Sequence, residues 1–263
     1  MLWVFGDSYS AEFSNVVHSA DWVYYTRVAD RLSMSVKNFS VGGSSLGYTY
    51  HQFNLNYGSM GEGDHVIVTL TDLERKFFFL DRPQVSTYQC FSAVLYDVDA
   101  SAVRVTKAEQ RAYEQYLKHL DKNPCIDRIN LVNFLYTLDT LAVRKNLKVL
   151  ILPGFKDSHS IAYDMYSSNQ FVRLVVANNY LSNVSMYECV DRAGYDSINY
   201  TDYRKNHMLK TNHQILSDKI IRSFETGESF DLLEDSFKGY ITEQVAKDQF
   251  NQEFFDYYVD RYV

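Results

Sequence analysis

Proline and cysteine are scarce in this chain, basic clusters are missing, and no apolar run approaches the roughly 18 residues a membrane helix needs. Each shortage excludes something. With only three prolines in 263 residues, little stands in the way of long regular elements. The three cysteines, Cys90, Cys125 and Cys189, are odd in number and widely spaced, without metal-ligand spacing. They imply reduced thiols in a cytosolic setting and no cysteine chemistry. The net charge of -7 is spread along the chain, so neither a basic stripe nor a nucleic-acid partner is expected. An apolar run begins at Leu2, which leaves no room for a signal peptide ahead of it; synthesis in the cytoplasm and no membrane span are the expectation. What the chain does have is apolar and aromatic mass. Hydrophobic residues make up 46%, enough for a full core, and 22 tyrosines supply amphipathic surface that suits a sugar or a protein partner.

Read in order, apolar runs alternate with helical patterns. "LWVF" is a short buried strand, its apolar residues continuous rather than alternating. "ADWVYYTRVADRL" carries Trp22, Val23, Thr26, Val28 and Ala29 near helical spacing. "SVKNFSVGGSS" gives a second strand that ends in a glycine pair, "SLGYTYHQFNLNY" a helix closing at Gly58, and "DHVIVTLTD" the clearest buried strand. Strand, helix, strand, helix, strand implies a parallel sheet with crossover helices. Residues 77–105, with Pro83, have no persistent period and are expected to form an irregular insertion. The capping pair Thr106 and Glu109 predicts a helix from Lys107 to about Leu120. A further helix is expected over Ile126–Lys145, with Leu131, Phe134, Leu135, Leu138 and Leu141 inward. "LKVLILPG" is a fourth strand, and "SMYECV" leads into a polar loop. "TNHQILSDKIIRSF" is a helix with Ile215, Leu216, Ile220 and Phe224 on one side. A domain of residues 1–225 is therefore expected, followed by an acidic, aromatic helical extension over 226–263.

The residue at the end of the first strand raises the chemical question. "FGDSYS" delivers Ser8 just past a buried strand, the place where parallel α/β sheets hold their ligands. As an isolated tripeptide, Gly-Asp-Ser is better read as a turn in which Ser8 or Ser10 caps the next helix. A nucleophilic serine needs a base. His207 and His213 are the candidates, His207 in a loop before the last helix and His213 in that helix's first turn, where packing or capping explains it better. For the orienting acid, Asp202 lies close before His207 and Asp196 is the fallback. Oxyanion donors would be the Ser8 N–H and the backbone near Gly42 and Gly43. The third strand end, "TLTDLER", offers Thr71, Asp72 and Arg75, which in isolation read as a helix cap and a solvated charge.

Taken together, "FGDSYS", "NFSVGGSS", a third strand ending near Thr71 and the late His207 resemble the SGNH (GDSL) hydrolase superfamily, and within it the divergent members of tailed bacteriophages. The resemblance runs in order from Met1 to Phe224. It implies an α/β/α sandwich with a flavodoxin-like parallel sheet, Ser8 as nucleophile, His207 as base, and an oxyanion hole of the Ser8 N–H, Gly43 and a third-block donor. Where the family has Gly-x-Asn-Asp in that third block, this chain has "TLTDLER", so Thr71 or Asp72 substitutes; where it has Asp-x-x-His, Arg204 stands three residues before His207, so the acid comes from Asp202 or elsewhere, or the site works as a Ser-His dyad. The implied activity is that of an esterase or deacetylase acting on an ester or acetylated carbohydrate, without metal or organic cofactor. An O-acyltransferase is a close variant. The other reading is a catalytically silent binding or virion structural protein, in the virion or the host cytoplasm, with the C-terminal helices meeting a partner or a second copy.

Overall fold

The computed structural model describes residues 1–11, 23–42, 44–73, 75–79, 86–89, 124–184, 208, 210–233 and 237. Five strands form one sheet: β1 (Leu2–Phe5), β2 (Val36–Asn38), β3 (His65–Leu70), β6 (Lys148–Pro153) and β7 (Leu174–Val176). Their order is β2-β1-β3-β6-β7, and all neighbours are parallel. Between β3 and the later strands, β4 (Lys76–Phe79) and β5 (Ser86–Gln89) pair antiparallel as a separate two-stranded sheet. Five α-helices are described: α1 (Tyr24–Arg31), α2 (Leu46–Tyr57), α3 (Pro124–Lys145), α4 (Lys156–Ser167) and α5 (Lys210–Thr226).

The continuous apolar runs have a simple cause: both faces of the sheet are covered. Successive side chains of a strand point to opposite faces. Leu2, Val4, Ile67, Leu150 and Leu152 pack on one side with Val28 of α1 and Leu216 and Ile220 of α5. Trp3, Phe5, Val66, Val68, Val149 and Ile151 pack on the other with Phe53 of α2, Leu131, Phe134 and Leu135 of α3, and Ile161 of α4. The result is the expected three-layer α/β/α sandwich, and burial of each such Leu, Ile or Phe contributes about 1.5–3 kcal/mol.

Local chemistry sets several boundaries. The Ser45 side chain accepts from the Tyr48 N–H and starts α2, which ends at Gly58 as its sequence suggests. Pro124 occupies the first turn of α3, where its missing N–H is harmless, so this helix begins two residues before the expected Ile126. The positive end groups Arg144 and Lys145 suit the helix's C-terminus, and Lys145 Nζ reaches the Tyr57 and Met60 carbonyls at 2.7 Å each.

Three differences from the sequence expectation stand out. Part of the segment expected to be irregular is the β4–β5 ladder, in which Phe77 pairs with Tyr88 and Phe78 with Thr87, residue types that favour strands. The chain after β6 forms α4 and a fifth strand, β7, that the sequence pattern did not announce. Beyond α5 the chain returns to the sheet: Asn178 N donates to Phe230 O, Leu232 N to Asn178 O, and Leu232 and Phe237 are buried. The helix expected over Lys107 to Leu120, the polar loop before His207 and most of the helical extension expected over 226–263 lie outside the described residues, and of that extension residues 227–233 are described and form no helix. No described helix is long and apolar enough to cross a membrane.

Candidate active site

From β1 the chain crosses to β2 on one side and then returns past β1 to β3, so the sheet order reverses between β1 and β3. A crevice opens at the carboxyl ends of two strands where their connections diverge in this way. Gly6, Asp7 and Ser8 leave β1 at that point. Gly6 is required by close approach, since a Cβ there would stand 2.6 Å from Thr69 Cβ on β3. The exit of β6 is equally tight: a Cβ on Gly154 would lie 2.5 Å from the Leu70 carbonyl oxygen. Both neighbours of β3 therefore turn directly over its end.

The residues after Gly6 form a closed turn. Ser10 N donates to Asp7 O at 3.1 Å, and Tyr9 N donates to Asp7 Oδ1 at 3.1 Å. Ser8 is half-buried at its crest, and Gly42 is its neighbour across the crevice: a Cβ on Gly42 would meet Ser8 Cβ at 3.8 Å. The loop after β2 is tied to the same turn. Asn38 Nδ2 donates to Ser10 O at 2.7 Å, Ser44 Oγ to Gly6 O at 2.9 Å, and Val41 N to Gly6 O at 3.1 Å. Beneath, the Ser10 hydroxyl bonds Tyr24 Oη at 2.5 Å and Thr69 Oγ1 at 2.6 Å. Ser10 thus spends its side chain on a buried hydroxyl cluster, in which burial pushes the Tyr24 phenol up to about 12.

Asp7 is fully buried, as a carboxylate can be only with a compensating charge and donors. Its Oδ2 accepts from Thr71 Oγ1 and from Arg75 Nη1, both at 2.8 Å, and Arg75 Nη1 also donates to Thr71 Oγ1 at 2.8 Å. The Arg75 guanidinium lies over the Phe155 ring, 5.3 Å from its centroid, and Phe155 in turn packs edge-on against Tyr9. Arg75 is therefore no solvated charge, as its sequence neighbourhood suggests, but the counter-ion of Asp7. Among the described residues Thr71 caps no helix: its one hydroxyl proton goes to Asp7 Oδ2, which leaves none for a developing oxyanion. Asp72 is half-buried in the next turn, its carbonyl accepting from Arg75 N at 3.2 Å.

The clamp of Asp7, Thr71 and Arg75 is the part of the site that sequence reasoning missed. One signal was available: a carboxylate at the end of a fully apolar strand demands a cation, and Arg75 follows closely on the end of neighbouring β3.

Of the other candidates, His213 is a packed residue. It is buried, stacked on Tyr24 with ring centroids 6.0 Å apart, and its Nδ1 accepts from Tyr24 N at 3.4 Å. Gly43, Asp196, Asp202 and His207 lie outside the described residues, although Gly42 and Ser44 flank the first of them and Met208, next to His207, is buried in the α1–α5 layer. Among the described residues no three His, Cys, Asp or Glu side chains stand together as a metal site.

The fold and the turn define a doubly wound α/β protein with a serine at its topological switch point. No family model and no curated protein matches the chain. Among solved structures, it is similar to a lipolytic protein of the G-D-S-L family from Veillonella parvula, with 12% identity, 86% of this chain and 98% of that chain covered, and a TM-score of 0.46. A psychrotrophic esterase from Pseudoalteromonas sp. shows 10% identity, coverage of 86% and 97%, and a TM-score of 0.44. An acetyl xylan esterase from Butyrivibrio proteoclasticus shows 15% identity, coverage of 86% and 63%, and a TM-score of 0.43.

Proposed function

We propose that the chain is a serine-dependent hydrolase of ester bonds, of the SGNH (GDSL) type. The observation that carries this reading is the position of Ser8: half-buried at the crest of a turn braced to β3 and to the loop after β2, at the switch point of the sheet. Ser8 attacks the ester carbonyl, and His207 takes its proton and passes it to the leaving alcohol. Asp202 orients His207. The Ser8 and Gly43 N–H groups hold the oxyanion, and water, activated by His207, then releases the acid and restores Ser8. Thr71 and Asp72 close the third side of the crevice, Thr71 by bracing Asp7. An acetylated carbohydrate is the substrate class that fits an aromatic-rich chain of this type.

The test is hydrolysis of p-nitrophenyl acetate. Wild type should turn over and Ser8→Ala should not; turnover undiminished in Ser8→Ala overturns the assignment. The commitment of Thr71's proton to Asp7 favours a second reading, a catalytically silent protein of the same fold. Covalent labelling with a fluorophosphonate separates the two, because a silent protein leaves Ser8 unmodified.

A further inference from the structure

We propose that Arg75 is the positioning residue of the Ser8 turn, an assignment that rests on Ser8 being the nucleophile. Ser8 sits between two points that both belong to Asp7. Its own chain enters through Asp7, and the next N–H, that of Tyr9, is held by Asp7 Oδ1. Any rotation of the Asp7 carboxylate therefore carries Ser8 with it. That rotation is blocked by the other oxygen, Oδ2, which is gripped by Arg75 Nη1 and Thr71 Oγ1 at 2.8 Å each.

A single nitrogen makes these contacts. Arg75 Nη1 reaches Asp7, Thr71 and, at a long 3.5 Å, the Ser44 carbonyl, which places it among the exits of β1 and β3 and the loop after β2. The Phe155 ring, just beyond β6, lies against the guanidinium. Among the described residues, Arg75 Nε is buried without a hydrogen-bond partner. Stability alone is a poor explanation of such an arrangement, because a buried ion pair usually does no better than a well-packed apolar pair of similar volume. An apolar pair, however, would leave the angle of the Ser8 turn unspecified. Misplacement of a reacting group by about 1 Å can lower the rate about 10²-fold, so the clamp acts on the chemical step rather than on substrate binding.

The test uses the full chain and two variants. Arg75→Lys keeps the charge but loses the planar fork, and Asp7→Asn with Arg75→Met removes both charges so that neither is left buried alone. Circular dichroism and melting establish that each folds. The rate of Ser8 labelling by a fluorophosphonate and the kcat and KM for p-nitrophenyl acetate are then measured. Labelling and kcat should fall about tenfold in the lysine variant and about 10²-fold in the double variant, with KM little changed. As a control, Asp139→Asn loosens the distant start of β7; it should melt earlier yet label Ser8 at the wild-type rate. Folded Arg75 variants that label as fast as wild type overturn the positioning role while leaving the esterase reading intact. Labelling that simply follows melting temperature, Asp139→Asn included, overturns it as well. A wild-type protein that is itself unlabelled overturns the nucleophile assignment, and the positioning role with it.

Discussion

Asp139 offers the sharpest test of how the sheet edge is held. This side chain is on α3 and is buried, and it gathers the amides that lead into and begin β7: Oδ1 accepts from Val172 N at 3.1 Å, Arg173 N at 2.7 Å and Leu174 N at 3.1 Å, and Oδ2 from Val172 N at 3.0 Å. Replacement by alanine strands three N–H groups. Val172 and Arg173 are exposed, so water can take over their amides at a loss of about 0.5–1 kcal/mol each, whereas the amide of buried Leu174 is left without a partner at about 1–3 kcal/mol. The sum is about 3 kcal/mol. For a chain of this size each kcal/mol moves the melting temperature by about 2–4 °C, so Asp139→Ala should melt roughly 6–12 °C early, and Asp139→Asn, which keeps one acceptor, about half as far. Urea unfolding followed by circular dichroism should give a lower midpoint with an unchanged slope. Melting of Asp139→Ala within about 1 °C of wild type, or an asparagine variant as unstable as the alanine one, would refute the reasoning.

Other consequences follow from single contacts. Gly6→Ala places a methyl group 2.6 Å from Thr69 Cβ and should cost about 1–3 kcal/mol, visible as an earlier melt and slower labelling of Ser8. Tyr24→Phe removes one member of the buried hydroxyl cluster, with an expected loss of about 0.5–1.5 kcal/mol in urea unfolding. The same phenol, pushed up to about 12 by burial, should stay protonated in ultraviolet titration at pH values where unfolded tyrosine has ionised; because the folded state holds its proton more tightly, its stabilisation falls as pH rises above 10.0. At acid pH the order is reversed for His65 and His159, whose imidazolium forms are disfavoured chiefly by burial, with Lys148 adding to the effect at His65 and a bond to Asn178 opposing it at His159. The unfolded chain then binds more protons than the folded one, so stability should drop as pH falls below 6.5, and His65→Gln with His159→Gln should flatten that part of the melting profile.

The layers of the fold were legible where burial left a local trace. β1, β3 and β6 are covered on both faces and read as unbroken apolar runs, while α3 and α5 show their inward stripes at helical spacing. β7 left no such trace. It has three residues, too few for a period, and its place is determined from outside: by Asp139 of α3 at its start and by the chain around Phe230 beyond its end. The β4–β5 ladder was hidden for a related reason, because its four-residue strands are joined across Pro83, which reads locally only as a break.

The site divides along the same line. The position of Ser8 follows from the end of a strand and was open to sequence reasoning; the state of its neighbours was not. Asp7 and Arg75 are 68 residues apart, so the demand of a buried carboxylate for a cation does not by itself say which cation meets it. Their pairing settles the electrostatics of the turn in a way that neither residue suggests alone. A lone Asp7 carboxylate beside Ser8 would oppose the negative charge that develops on an attacked carbonyl oxygen, since like charges in a poorly hydrated crevice repel strongly. With Arg75 as counter-ion that charge is balanced, and Thr71's proton is drawn inward to the same oxygen. The Thr71 hydroxyl thus serves the turn, and in the proposed mechanism the oxyanion is held by backbone N–H groups. Backbone donors of that kind lose nothing when Thr71 is changed to serine, which keeps the hydroxyl, whereas Thr71→Val removes the bond to Asp7. Fluorophosphonate labelling of Ser8 should accordingly be preserved in Thr71→Ser and slowed in Thr71→Val; slowing in Thr71→Ser with Thr71→Val unaffected would mean that the methyl group, and not the proton given to Asp7, is what the turn depends on.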